Sequence, residues 1–170
     1  MMRFRAAGLA DPVVRSLVFR QWTELCERYG LAAPCGEDGA LPSGSFVAPT
    51  GTFLVGEVEG AALACGGVRT CVGGPPGVGE IKRMYVEPAM RGRGFGRALL
   101  AALEAESVRL GYRRLWLETG TAQPEALRLY ETSGWSPIPT YGEYKDEEDS
   151  RCYEKAPTAH IGACLSPPVG

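Results

Sequence analysis

The sequence predicts an α/β domain built on a mixed β-sheet, and three observations indicate it. A helical pattern lies between two strand-like segments from Glu80 to Thr119, which predicts a parallel strand–helix–strand crossover. Residues 52–70 have the pattern of two antiparallel strands that turn at Glu59-Gly60. The chain has 170 residues, of which 45% are hydrophobic and 22% charged, and this suits one globular domain with a real core.

The N-terminal elements are predicted from a strand pattern and from helix caps. Residues 2–7 (MRFRAA) are typical of a short first strand. A helix follows, with Asp11 as its cap, Pro12 at its first position and Gly30 at its end. Residues 31–50 are rich in Gly, Pro, Ser and Ala and show no periodicity. We therefore expect a loop there that borders a ligand site.

The later elements alternate between strands and helices. In chain order we expect a loop at 71–79, a strand at 80–86, a helix at 96–111, a strand at 113–119, a short helix at 123–134 and a last strand at 151–156. Just before them, Gly66-Gly67 indicates a bulge or a close backbone approach. Residues 1–156 are expected to form a single domain, and residues 157–170 a Gly/Pro/Ala-rich tail.

Composition argues against several classes of function. The net charge is −2, so the chain has no overall basic field for nucleic acid or an anionic membrane. No apolar run approaches the roughly 20 residues that span a bilayer, and the N-terminus lacks a continuous apolar signal region. Six cysteines form no CxxC pair, and His160 is the single histidine, so buried free thiols and no metal site are expected. The expected location is the cytoplasm.

The hexapeptide RGRGFG at residues 91–96 lies at the start of the predicted helix at 96–111. Free backbone N–H groups and the helix dipole make such a turn suitable for a phosphate group, while its glycines permit a close approach. A Walker A loop would end in Gly-Lys-Ser/Thr, but the chain has Gly96-Arg97-Ala98. A GxGxxG dinucleotide motif needs a different glycine spacing and normally follows the first strand.

Arg91, Gly94 and Gly96 instead fit the pattern R/Q-x-x-G-x-G/A, within the segment IKRMYVEPAMRGRGFGRALL at 81–100. On this segment the chain resembles the GNAT superfamily of acetyl-CoA-dependent N-acetyltransferases. Residues 123–135 (QPEALRLYETSGW) resemble the family's late N-x-x-A-x-x-L-Y-x-x-x-G-F/W segment. The resemblance implies an α+β GNAT fold, with a mixed central sheet of about six to seven strands and about four helices. It also points to a bacterial group of small members, and the family often forms homodimers.

The resemblance further implies how acetyl-CoA is bound. Backbone amides of residues 91–96 would hold the pyrophosphate, and the central strand would hold the pantetheine, with the Val86 amide stabilising the oxyanion. Gln123 takes the place of a family asparagine that contacts CoA, and Arg93 and Arg97 reach the phosphates or are solvated surface charges. The cofactor-binding residues expected are Met84, Tyr85, Val86, Arg91, Gly92, Arg93, Gly94, Phe95, Gly96, Arg97 and Gln123.

Two catalytic residues follow from the same resemblance. Glu80 stands where several family members carry a general base, and the alternative is a strand-end ion pair with Lys82 or Arg113. Tyr130 stands where the family has a tyrosine that protonates the departing thiolate. Its alternative is a core aromatic residue on a short helix.

The expected reaction moves an acetyl group to a primary amine of a small molecule or amino acid, by direct attack in a ternary complex. A protein N-terminus or lysine as acceptor, and a non-catalytic acyl-CoA-binding sensor, are the alternatives. Acidic residues at 141–149, around Tyr144, would favour a cationic amine unless they form a solvated loop. Arg69 and Arg83 could instead bind the carboxylate of an amino acid.

Overall fold

Seven strands and three α-helices make up residues 1–32 and 44–158, the part of the chain that a computed structural model describes. The strands are β1 (Arg3–Ala6), β2 (Thr52–Val58), β3 (Ala61–Thr70), β4 (Val78–Val86), β5 (Arg114–Gly120), β6 (Ser136–Ile138) and β7 (Ser150–Lys155). The helices are α1 (Pro12–Tyr29), α2 (Phe95–Arg109) and α3 (Pro124–Glu131), with a short 3-10 turn at Pro88–Met90.

The first helix begins and ends as its sequence predicts. An oxygen of Asp11 accepts a hydrogen bond from the Val13 N–H at 2.8 Å, and Pro12 occupies the first helical position. That hydrogen bond is the largest of the effects that lower the pKa of Asp11. Gly30 ends the helix in the left-handed conformation, at φ 64°.

The strands form one mixed sheet in the order β1-β2-β3-β4-β5-β7-β6. β4 and β5 are parallel and joined by α2, which confirms the predicted crossover, and every other neighbouring pair is antiparallel. The hairpin between β2 and β3 turns at Glu59-Gly60, both at positive φ, as predicted. β6 was not predicted, because three residues that include Pro137 carry too little pattern.

The two faces of the sheet carry different helices, and we name them for these. On the α1 face, α1 packs against β2, β3 and β4 in a cluster of Val14, Leu17, Val18, Phe46, Phe53, Val55, Cys65 and Tyr85. On the α2 face, α2 and α3 cover a larger cluster that includes Leu99, Leu103, Ile81, Leu115, Leu117 and Tyr130. Side chains alternate between faces along a strand, so each strand contributes to both.

The structure confirms the mixed α/β architecture and the predicted sheet size. About four helices were expected, whereas the described residues contain three α-helices and the 3-10 turn. Most of the predicted loop at 31–50 and the tail from residue 159 lie outside the described residues. Cys26, Cys65, Cys71 and Cys152 are free and buried, as expected of structural thiols. Within 1–32 and 44–158, no helix is long and apolar enough to cross a membrane.

Candidate active site at the splayed strands

Strands β4 and β5 separate in the middle of the sheet. Their pairing runs from Val78 opposite Arg114 to Ile81 opposite Leu117 and then stops. β4 nevertheless continues to Val86 and β5 to Gly120. The later half of β4 therefore has no strand partner on its β5 side. A β-strand edge of this kind can hydrogen-bond an extended ligand through its backbone.

A bulge in β4 marks the point where the strands separate. Cys65 lies opposite Tyr85 and Gly67 opposite Lys82, so two residues of β4, Arg83 and Met84, face the single Gly66 of β3. The irregularity predicted from the glycines is present, but the extra residue belongs to β4. Arg83 adopts φ 60°, which is unusual for a residue with a side chain and costs conformational energy. Bulges bend a strand, and this one bends β4 at the opening.

The N-terminus of α2 forms the second part of the site. Gly94 is the N-cap at φ 80°, and no side chain caps the helix. The N–H groups of residues 94–97 therefore have no acceptor within the helix, and the helix dipole favours a negative charge there. A Cβ atom added at Gly92 or Gly94 would meet nothing within 4 Å, so the space around this turn is open. Both glycines have positive φ, which explains why glycine is needed.

Arg91 makes its contacts within the protein. Its backbone N–H donates to the Pro88 carbonyl at 3.2 Å. Its guanidinium donates to both oxygens of Glu24 at 2.9 and 2.6 Å and to the Val86 carbonyl at 2.9 Å. The hydrogen bonds from Arg91 lower the pKa of Glu24. The amide of Arg91 thus already has an acceptor, and its side chain holds α1 against the end of β4.

The other predicted CoA contacts vary in their surroundings. Arg93 and Arg97 are both exposed, and Arg97 also donates to the Thr132 carbonyl at 3.1 Å, at the end of α3. The Gln123 amide donates to the Tyr29 hydroxyl at 3.4 Å. Arg93 therefore lies beside the open turn, whereas Arg97 and Gln123 already have hydrogen-bond partners within the chain.

Tyr130 lies on the α2 face, behind the opened strand. Its side chain is buried, and its hydroxyl is 3.9 Å from the sulfur of Met84 on β4. The rings of Trp135 and Tyr153 lie 6.1 and 6.0 Å away. Burial raises the pKa of Tyr130, and the charge of Glu118 raises it further, so the phenol stays protonated at neutral pH. The residue is both a core aromatic and a neighbour of the β4 edge.

Glu80 lies on the α1 face and is almost fully enclosed by partners. Arg69 contacts its carboxylate through two nitrogens at 3.2 Å, and Lys82 lies 3.5 Å away. The Tyr141 hydroxyl donates to its other oxygen at 3.1 Å. The alternative pairing with Lys82 is therefore present, the pairing with Arg113 is not among the described contacts, and Arg69 was not foreseen. The side chain of Glu80 is only 5% exposed.

Sequence reasoning missed a second carboxylate, that of Glu118. It lies on β5, one residue past the last β4–β5 pair, and accepts a hydrogen bond from the Ser150 hydroxyl at 3.4 Å. Burial raises its pKa to about 7, although Lys82 acts in the opposite direction. The sequence signal was weak, because one acid at the end of LWLET is common at a strand end. Only the structure shows that Glu118 lies just past the point where β4 and β5 separate.

Arg83 and Arg69 were predicted together as acceptor residues, and the structure separates them. Arg69 is engaged with Glu80 and also lies over the Phe46 ring. The Arg83 guanidinium lies 5.5 Å above the Trp22 ring of α1, and burial lowers its pKa. Among the described residues, no carboxylate lies within ion-pair distance of it. Tyr144 is 40% exposed, and its pKa is raised mainly by burial and then by Glu143 and Glu118, while Arg83 lowers it.

A search of residues 1–32 and 44–158 for metal-binding side chains finds no group of three or more His, Cys, Asp or Glu that could hold an ion.

Comparison with known proteins shows the family to which the chain is similar. The family model described as acetyltransferase (GNAT) family matches residues 14–135. An IAA acetyltransferase from Azospirillum brasilense is 34% identical over 152 residues, 89% of this chain and 94% of that protein. An uncharacterised N-acetyltransferase from Escherichia coli K12 is 30% identical over 140 residues, 75% and 84% of the two chains. A GNAT family acetyltransferase from Elizabethkingia anophelis was solved with acetyl-CoA bound. It superposes with a TM-score of 0.63 and is 15% identical, and the match covers 91% of this chain and 97% of that one, which shows the shared fold.

Proposed function

Because the chain belongs to the acetyltransferase (GNAT) family, we propose that it moves an acetyl group from acetyl-CoA to a primary amine of a small molecule or amino acid. Membership makes it an acyltransferase, and the family uses acetyl-CoA as its donor substrate. The observation that carries the proposal is the meeting of an unpaired β4 edge with the uncapped N-terminus of α2.

These two features suit the two chemical parts of CoA. The pyrophosphate is an anion, and the free N–H groups of residues 94–97 are donors at the positive end of a helix dipole. The pantetheine arm is an extended chain of amides, and the edge from Met84 to Val86 can hydrogen-bond it as a strand does. Exposed Arg93 adds a positive charge beside the turn. A phosphate site without the open strand would not favour CoA over other phosphates.

The chemistry requires one bond to form and one to break. The amine nitrogen attacks the thioester carbon, a C–N bond forms, and the oxyanion is stabilised by a backbone N–H such as that of Val86. The C–S bond then breaks, and the thiolate leaves. Tyr130 is the proposed donor of a proton to this thiolate, since its hydroxyl lies beside Met84 and stays protonated.

The incoming amine must lose a proton, and Glu80 remains a predicted base, acting directly or through water. Both of its oxygens already have partners in the protein, Arg69 at one and Tyr141 and Lys82 at the other. Glu118 is the other carboxylate near the opening.

The test is a thiol-release assay with acetyl-CoA and a broad panel of amines. We expect CoA release that depends on an amine, and Tyr130→Phe should lower turnover by about 100-fold, in the range of general acid catalysis, with little change in acetyl-CoA affinity. Tyr153→Phe is the matched control, because it also removes a hydroxyl from a buried aromatic residue on the same face. Acetyl-CoA binding without turnover on any amine would favour the sensor function, and no binding at all would refute the proposal.

A further inference from the structure

We propose that the acceptor is an amine that also carries a carboxylate, that Arg83 binds this carboxylate, and that Glu118 takes the proton lost by the amine. This inference rests on the proposed acetyl transfer. It names the class of substrate, a small amino acid or related amino carboxylate, and it assigns the base to a residue on β5.

Arg83 is a cation without an ion pair among residues 1–32 and 44–158. Its guanidinium is held over the Trp22 ring, largely out of water, and makes no ion pair within the described residues, although the charge of Glu143 acts on it from the loop before β7. A buried charge without a partner is costly, whereas a planar guanidinium binds a carboxylate through two parallel hydrogen bonds. The positive φ of Arg83 adds conformational cost at the same residue. A ligand carboxylate would supply the missing charge.

The other cations close to the opening are already paired. Arg69 makes two contacts with Glu80, and Lys82 lies 3.5 Å from the same carboxylate. Arg91 is bound to Glu24. Each of these three cations already contacts a carboxylate, and Arg69 and Lys82 share one, so Arg83 is the cation of the four that has no carboxylate contact within the described residues. This difference could not be read from a sequence in which all these residues are simply basic.

Glu118 faces the same side of the sheet as Arg83. Leu115 and Leu117 contribute to the α2 face, so alternation along β5 turns Glu118 toward the α1 face. The Tyr144 phenol responds to both charges, since Glu118 raises its pKa and Arg83 lowers it. Tyr144 is therefore near enough to both groups to feel their charges, which places a cation and a carboxylate on the same face, as a ligand with an amine and a carboxylate requires.

The groups around Glu118 define the proton transfer. Lys82 and Glu80 approach from β4, Asp149 and Ser150 from the start of β7, Tyr130 from α3 and Tyr144 from the preceding loop. The ammonium group gives one proton to Glu118, and its lone pair then forms the C–N bond. When the C–S bond breaks, the thiolate takes a proton from Tyr130. The nitrogen then gives up its second proton, which passes through solvent and restores the Tyr130 phenol. The products are the N-acetyl amino carboxylate and CoA, and Glu118 returns its proton to solvent.

Paired acceptors test the role of Arg83. Each amino acid is compared with its carboxamide, which keeps the amine and removes the charge. We expect wild-type kcat/KM to favour the carboxylate by about 10- to 100-fold, the value of a hydrogen bond to a charged group, mainly through KM. Arg83→Met should abolish this preference, whereas Arg113→Met, which also removes a positive charge but on an exposed residue, should preserve it.

Equal activity on the two members of each pair, or an equal loss on both in Arg83→Met, would overturn the role of Arg83. The proposed acetyl transfer would still hold in either case, because CoA is released. An absence of CoA release with every amine in wild-type protein would instead refute the acetyl transfer itself. Acetyl-CoA affinity of Arg83→Met, measured by calorimetry, reports whether the variant retains a folded donor site.

The pH profile tests Glu118 against Glu80. In wild type we expect kcat/KM to rise as pH increases through about 7, where the carboxyl of Glu118 loses its proton. Glu118→Gln should lose this rise together with about 100-fold in rate, and Glu118→Asp should recover part of both. Glu80→Gln should keep the rise. A Glu118→Gln variant with the wild-type profile and rate would refute the assignment.

Discussion

Replacing Glu118 with glutamine should make the protein more stable at alkaline pH while it lowers turnover. Burial raises the folded-state pKa of this carboxyl to about 7, above its ordinary value of 4.5. The folded protein therefore keeps the proton at pH values where the unfolded chain has released it. Stability must fall as pH rises from about 4.5 to about 7, and the loss persists above that range. Glutamine does not ionise, so the variant avoids this loss.

The size of the effect follows from the two pKa values. They differ by about 2.5, and each unit corresponds to about 1.4 kcal/mol, which gives an upper limit of about 3.5 kcal/mol. Glu118 is only partly enclosed and lies near Lys82, so water and that charge reduce the cost. We expect the free energy of unfolding of Glu118→Gln to exceed that of wild type by about 1–2 kcal/mol at pH 8.5. At pH 5 most of this excess should be absent.

Urea denaturation of both proteins at pH 5, 6, 7 and 8.5 measures the effect. The quantity of interest is the change with pH of the difference in free energy between variant and wild type, since any pH-independent packing effect of the glutamine cancels. A difference that stays constant within about 0.5 kcal/mol from pH 5 to 8.5 would show that Glu118 is not destabilised by ionisation. The reasoning about its environment would then be wrong. A loss of turnover together with a gain in stability is the pattern expected of an active-site group whose charged form is destabilised by burial.

Three further changes test other parts of the structure. Gly94→Ala places a side chain at φ 80° at the α2 N-cap and should weaken acetyl-CoA binding by about 10-fold, measured by calorimetry. Gly60→Ala is the control, because it has φ 81° in a distant hairpin and should strain the backbone without altering the affinity. Tyr130→Phe should reduce kcat and leave the KM for acetyl-CoA nearly unchanged in steady-state kinetics, and a parallel rise in KM would indicate a structural role. Lys155→Met leaves Glu104 buried without its 2.9 Å partner and should cost about 3 kcal/mol in urea denaturation, a loss that adding Glu104→Leu should largely reverse.

The parts of the fold that depend on local signals were predictable from the sequence. Asp11, Pro12 and Gly30 mark the ends of α1, and Glu59-Gly60 marks the hairpin, because each acts through its own backbone or cap. β6 was missed since it is held by pairing with β7, which is not a local property. The 3-10 turn at Pro88–Met90 falls between the predicted strand and helix and is only three residues long.

In the candidate site, too, the features that depend on local sequence were predictable and those that depend on tertiary packing were not. The uncapped glycine turn at residues 91–96 uses backbone groups, and its glycines and spacing are visible in the sequence. The acceptor side depends on which charges meet, and the sequence does not show that Arg69 faces Glu80 while Arg83 faces Trp22. Nor does it show where two parallel strands separate, so Glu118 resembles any acid at a strand end. Pairing and separation are decided by tertiary packing, here by the bulge in β4.

Arg91, the first residue of the glycine-rich hexapeptide, links the two sides of the site. A phosphate-binding role alone would not explain it, because Glu24 on α1 neutralises its charge at 2.6 Å. Its third hydrogen bond, to the Val86 carbonyl, fixes the end of the β4 edge proposed for the pantetheine. The same α1 helix carries Trp22, which holds Arg83. Transfer between two bound substrates depends on their relative position to within about 1 Å. Arg91 connects α1, which carries Trp22 beneath the proposed acceptor site, to the end of β4, where the pantetheine is proposed to bind. It therefore affects the reaction without contacting either substrate.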